Sequence, residues 1–137
     1  MRWTHITITV GEFGRSIDFY TAVCGLAVVR DRRRDGGGTV WLGYEPAAGD
    51  DPTFVLVIME GEVTDRLDHL GFQCESREEV DAVAEEARRR GILVHPPQDS
   101  GGAVGYWTIL RDPDGHQVEF TFGQPLKGIQ REVMSDK

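Results

Sequence analysis

Two stretches of the chain carry one pattern, and that pattern leaves few folds open. Thr4-His5-Ile6-Thr7-Ile8-Thr9-Val10 and Asp68-His69-Leu70-Gly71-Phe72-Gln73-Cys74 each place a histidine ahead of an alternation of apolar with polar or small residues. A β-strand turns successive side chains to opposite faces. Ile6, Ile8 and Val10, like Leu70, Phe72 and Cys74, would therefore bury one face while both histidines share the other. Near the C-terminus Gln117-Val118-Glu119-Phe120-Thr121-Phe122 alternates in the same way, with Glu119 on the polar side. An internal duplication with a histidine in each copy, and a carboxylate on a third strand, is what any functional account has to explain.

The repeat continues beyond the strands. The first copy reads as a strand, a turn at Gly11 to Gly14, a helix over Arg15 to Cys24 capped by Gly25, a strand over Leu26 to Arg30, and strands over Thr39 to Glu45 and Thr53 to Glu60. Residues 61 to 66 form a joint, and the series then restarts. The second helix has the plainest signals: Ser76 and Glu79 make a capping box, and Arg88 to Arg90 close the last turn before Gly91. Ile92 to Val94 reads as a strand ended by Pro96-Pro97, and the last strands, Tyr106 to Arg111 and Gln117 to Phe122, flank the turn Asp112-Pro113-Asp114-Gly115. The expected fold class is α+β. Two tandem βαβββ modules, one over residues 1 to 60 and one over 67 to 123, with a tail over 124 to 137, form an open barrel of curved sheet around a cleft. Strands one, five and eight would project His5, His69 and Glu119 into that cleft.

Composition narrows the function. The 137 residues suit one duplicated domain, and no run of about 18 apolar residues or charged, apolar leader occurs, so a cytoplasmic protein with no membrane partner is expected. The net charge of −8 argues against nucleic acid, whose binding depends on clustered cations. Arg30 to Arg34 reads as a solvated strand end or loop, and Gly36-Gly37-Gly38 lacks the context of a phosphate cradle. Cys24 and Cys74 read as small buried side chains. His116 has the opposite parity from Glu119 and is expected to face solvent, and His95 to stand on an edge strand. Trp3, Trp41 and Trp107 are candidate substrate walls, Trp107 on condition that Leu110 packs inward.

His5, the helix residues Ser16-Ile17-Asp18-Phe19-Tyr20, the stretch Asp68-His69-Leu70, and Asp112-Pro113-Asp114-Gly115-His116-Gln117-Val118-Glu119 together resemble the vicinal oxygen chelate superfamily over about residues 3 to 125. That superfamily includes glyoxalase I, extradiol dioxygenases, fosfomycin-modifying enzymes, methylmalonyl-CoA epimerase and bleomycin-resistance binding proteins. The resemblance implies that His5, His69 and Glu119 hold a divalent metal: iron, manganese, nickel, zinc or cobalt. Two neutral imidazoles and one carboxylate would leave about three positions of an octahedron open, enough for a substrate chelating through two oxygens.

The resemblance further implies a metal-dependent dioxygenase, or a lyase or isomerase, acting on a small oxygen-bearing or aromatic molecule. Glu119 would double as a proton carrier, and Thr7, Gln73 and Gln117 would orient the substrate. Val55, as the symmetry mate of Glu119, stands where glyoxalase I and the epimerase add a fourth protein ligand. Ile109 replaces a tyrosine frequent in the extradiol and fosfomycin branches, and strand four carries no histidine. The rival expectation is a protein that sequesters a drug or metabolite, for which an acidic surface and an aromatic cleft suit a cationic ligand. A homodimer is expected in either case, with the cleft built within one chain or shared between two.

Overall fold

A computed structural model describes residues 3 to 45 and 54 to 125. The chain runs β1 (His5–Val10), α1 (Phe13–Ala22), β2 (Ala27–Arg34), β3 (Gly37–Gly43) and β4 (Val55–Glu60), then β5 (Leu70–Gln73), α2 (Arg77–Arg90), β6 (Leu93–Asp99), β7 (Tyr106–Arg111) and β8 (Gln117–Phe122). The βαβββ series is thus laid down twice. Each copy builds a four-stranded mixed sheet, in the orders β1-β4-β3-β2 and β5-β8-β7-β6. In both, the first strand of the copy pairs in parallel with its last, while the other pairings are antiparallel. His5 opens β1, whereas His69, expected within the matching strand, immediately precedes β5.

Local chemistry accounts for the helices. The Ser76 hydroxyl accepts the Glu79 amide at 3.1 Å, acidic residues fill the first turn, arginines fill the last, and Gly91 ends α2 at φ 71° in the left-handed region. The return arm of the box reaches one residue further back, with Glu79 accepting the Glu75 amide. Helix α1 has no such cap of its own. Its first free amide, on Phe13, donates to the Glu60 carboxylate at 2.8 Å, so the end of β4 caps the helix from outside.

Several boundaries depart from the sequence expectation. β2 runs on to Arg34 and β3 starts at Gly37, so the basic cluster is strand rather than loop. β6 passes through Pro96-Pro97 to Asp99 with its register broken between Leu93 and His95 and again across the prolines, between His95 and Gln98. It can do so because it is the outer strand of its sheet, where one row of amides has no ladder partner to lose. Tyr44 falls outside β3 and is exposed.

One apolar core joins the two copies. Ile8, Val10, Phe19, Tyr20, Val40, Leu42 and Ile58 from the first belong to the same cluster as Val80, Ala87, Leu110, Val118 and Phe120 from the second. At its edge a polar clamp fastens the copies together. The Tyr20 hydroxyl donates to Asp112 Oδ2 at 2.7 Å, while Asp112 Oδ1 accepts the amides of Asp114 and His116. Asp114 in turn accepts from the Gly11 amide, from Arg15 at 2.8 Å and from the Ser16 hydroxyl.

His116 corrects the expectation of a solvent-facing side chain, because it is 1 % exposed. Its Nδ1 accepts the Leu67 amide, so Nε2 carries the proton and donates to the Thr9 carbonyl. Opposite parity from Glu119 does not mean solvent here, because the face behind Glu119 is the core. The turn needs its glycine: at φ 88° Gly115 lies in the left-handed region, and a Cβ there would sit 2.9 Å from Arg66 Nε.

Candidate metal and substrate site

Each sheet has one face on the shared core and one turned away from it. On the outer face of the first sheet the register aligns His5 with Val55, and Thr7 with Val57 and thence Trp41. These residues, with Thr4, Val29, Arg30, Arg32 and Thr39, line a cavity of about 420 Å³. On the second sheet Gly71 aligns with Glu119, and Glu119 with Ile109, while Trp107 aligns with Thr121. His69 stands just before β5, two residues ahead of Gly71, and is exposed. Leu110 is fully buried, which puts Trp107 on the outward face with Glu119.

Each histidine has Nδ1 within hydrogen-bond distance of the residue before it. The Thr4 hydroxyl lies 2.8 Å from His5 Nδ1, and Asp68 Oδ1 lies 2.6 Å from His69 Nδ1. A carboxylate on the far nitrogen is the usual orienting partner of a ligating imidazole, so Asp68 leaves His69 Nε2 as the nitrogen to bind a metal; His5 Nε2 is open in the tautomer whose Nδ1 donates to the Thr4 hydroxyl. The donor chemistry therefore fits a divalent ion. Glu119 is half-buried and within 3.5 Å of the Gln124 side-chain amide.

The chain does not bring these donors together by itself. Among the described residues no three His, Cys, Asp or Glu side chains lie close enough to hold one ion. His5 belongs to the face of the first sheet, His69 and Glu119 to that of the second.

The remaining candidates divide similarly. Thr7 and Trp41 line the His5 cavity. Trp3 does not: it is 76 % exposed and stands edge-on to Phe54, with ring centroids 5.6 Å apart. Gln73 and Gln117 are exposed on the second sheet. The Trp107 indole donates to Ser100 Oγ at 2.9 Å and stacks on His95 at 4.4 Å, on edge strand β6. The register also moves the symmetry mate of Glu119 from Val55 to Val57, since each is the third residue of its strand. Both valines are buried, so this wall of the site is apolar. Glu60, near them in sequence, is committed to capping α1.

Arg30 and Arg32 are the residues that sequence reasoning missed. A bulge between Val28 and Arg30 shifts the strand so that Arg30 pairs with Trp41 and Arg32 with Thr39, on the cavity side. No alternation read along the chain locates a bulge.

The thiols carry no site chemistry. Burial, and secondarily the Asp112 carboxylate, pushes Cys24 far above the usual thiol range. Burial and then Glu79 push Cys74 up to about 12. Neither cysteine should react with an aromatic disulfide reagent in the native protein, and both should react at once in denaturant. Stoichiometric labelling of the folded protein within minutes would contradict the buried placement.

Comparison with known proteins agrees with the fold. The sequence model of the Glyoxalase/Bleomycin resistance protein/Dioxygenase superfamily matches residues 2–120. An uncharacterized protein of Pseudomonas aeruginosa is 40% identical over 128 residues, covering 90% of this chain and 89% of its own. A lactoylglutathione lyase of Escherichia coli O157:H7 is 27% identical over 127 residues, 87% of this chain and 90% of its own. Among solved structures, a genomically encoded fosfomycin resistance protein of Listeria monocytogenes superposes with a TM-score of 0.70 over 91% of this chain and 95% of its own. At 23% identity that likeness speaks for the fold alone. With its doubled βαβββ unit and a match that spans most of its length, the chain belongs to the Glyoxalase/Bleomycin resistance protein/Dioxygenase superfamily.

Proposed function

We propose that the protein is a metal-dependent enzyme acting on a small oxygen-bearing or aromatic substrate, and that its metal site is assembled between two copies of the chain. One observation supports this reading: two histidines, each with Nδ1 engaged by the residue before it, stand in different halves of the fold, and among the described residues one chain brings no full donor set together. A two-fold dimer that opposes the His5 face of one copy to the His69 and Glu119 face of the other would complete two equivalent sites.

A divalent ion held there would polarise a substrate oxygen. The protein's own groups would do the rest. Glu119 is the one carboxylate of the proposed donor set and the group suited to carry a proton; Thr7, Gln73 and Gln117 offer hydrogen bonds for orientation. Trp41 and Trp107 supply flat walls on the two faces. The apolar Val55 and Val57 supply no fourth donor, which leaves room for a substrate to chelate through two oxygens. The reaction class is dioxygenation, or lyase or isomerase chemistry; the similarity to a lactoylglutathione lyase favours the second.

The metal content of untagged protein tests this reading. Elemental mass spectrometry should find a divalent transition metal near one per chain, and the His69→Ala protein should bind it at least about 100-fold more weakly. Wild-type protein that takes up no iron, manganese, nickel, zinc or cobalt on reconstitution would overturn the enzyme reading in favour of sequestration of a small molecule.

A further inference from the structure

The His5 cavity contains an electrostatic feature that runs against the charge of the whole molecule. In a chain of net charge −8, two guanidinium groups stand at one wall of the cavity, Arg30 5.2 Å and Arg32 6.0 Å from the centre of the Trp41 ring. Among the described residues neither has an ion-pair partner. Their neighbours on the same strand differ: Asp31 and Arg33, which alternate with them, bind each other at 2.5 Å. The strand thus neutralises its charges on one side and leaves them uncompensated on the other.

Both guanidinium groups are exposed and within cation–π range of Trp41, which with solvent offsets part of their mutual repulsion; an anion between or before them would offset more. The rest of the wall carries no negative charge, being made of Thr4, His5, Thr7, Val29, Thr39, Trp41, Val55 and Val57. The outer face of the second sheet, which would close the cavity in a dimer, offers Gln73, Gln117, Trp107 and Ile109, with two carboxylates, Glu119, which the metal would occupy, and Asp68, which is engaged by His69.

We infer that the substrate is an anion with a flat body: a carboxylate or similar oxyanion bound by Arg30 and Arg32, and a planar segment laid on Trp41, with its chelating oxygens directed toward His5. Arg30 and Arg32 are then specificity-determining residues, not a solvated strand end. The inference deepens the proposed function and rests on it only for the direction of the chelating oxygens; the anion site stands on the cavity alone. It also turns away from a cationic ligand, which the net charge by itself would have favoured.

The test uses three probes with one vicinal oxygen pair and different charge: catechol (neutral), 3,4-dihydroxybenzoate (anionic) and dopamine (cationic). Each is titrated anaerobically by calorimetry into the zinc-loaded and the metal-free protein. 3,4-Dihydroxybenzoate should bind about tenfold or more tightly than catechol, and dopamine more weakly than either, because a charge-assisted contact contributes roughly one such factor. The Arg30→Gln and Arg32→Gln variants should lose most of that preference, and added salt should reduce it in the wild-type protein.

The metal reading fails or stands separately. A preference for the anion that persists in metal-free protein and vanishes in the arginine variants supports the anion site even if zinc never binds. Zinc-dependent binding of catechol and 3,4-dihydroxybenzoate with equal affinity, unchanged in the arginine variants, overturns the anion site and leaves the metal reading intact. Absence of binding by all three probes overturns it as well.

Discussion

Mixing a His5→Ala chain with a His69→Ala chain should restore metal binding that neither retains alone. If the donors meet across a dimer, a heterodimer places the intact His5 of one copy against the intact His69 and Glu119 of the other. The same heterodimer's second site carries both defects. Random assortment makes half of the dimers mixed, each with one good site of two, so about a quarter of the wild-type metal content should return. The measurement is elemental analysis after the two proteins are unfolded together, refolded and dialysed against the ion. Recovery of none would place all three donors in one chain, and would require the two copies of the βαβββ unit to rearrange, since they keep the donors apart as they stand.

The second large effect should come from a residue that touches no substrate. Asp112 is buried and accepts from the Tyr20 hydroxyl and from the amides of Asp114 and His116. Asp112→Ala would strand all three donors away from water, at about 1–3 kcal/mol for a typical unsatisfied group, and some 3–5 kcal/mol in sum once the turn relaxes. Urea unfolding of the metal-free protein should show its midpoint lowered by about 2 M. Tyr20→Phe should cost less, because the carboxylate keeps two donors. The Tyr20 phenol itself will not ionise in the native state, since burial and then the neighbouring Asp112 hold its pKa well above the usual tyrosine range. A loss for Asp112→Ala no greater than for the exposed Asp65→Ala would show that the turn does not fasten the copies.

What the sequence made legible was whatever repeats with a short period. Alternation around His5 and His69 located both end strands and their faces, and Ser76, Glu79 and Gly91 located α2 to within a residue. What it hid depends on contacts distant in sequence. The side of a sheet that meets water is set by what packs on it, so His116 was assigned the wrong surroundings although its parity was read correctly. A bulge at Val28 decided where Arg30 points, and the outer position of β6 decided that Pro96-Pro97 need not end a strand. Whether three ligands converge would, on the proposed reading, be decided by assembly, which no residue pattern within one chain encodes.

The clamp around Asp112 and Asp114 has a further bearing on how such a protein changes over time. It draws on a turn, the start of a helix and buried hydroxyls, and it shares no side chain with the outward faces that carry His5, Trp41, Arg30, Arg32 and Glu119. Drift in the residues that choose a ligand therefore leaves the fastening untouched, and selection for a new ligand need not first rescue folding. A scaffold divided in this way can lose, exchange or reacquire its chemistry while remaining the same object.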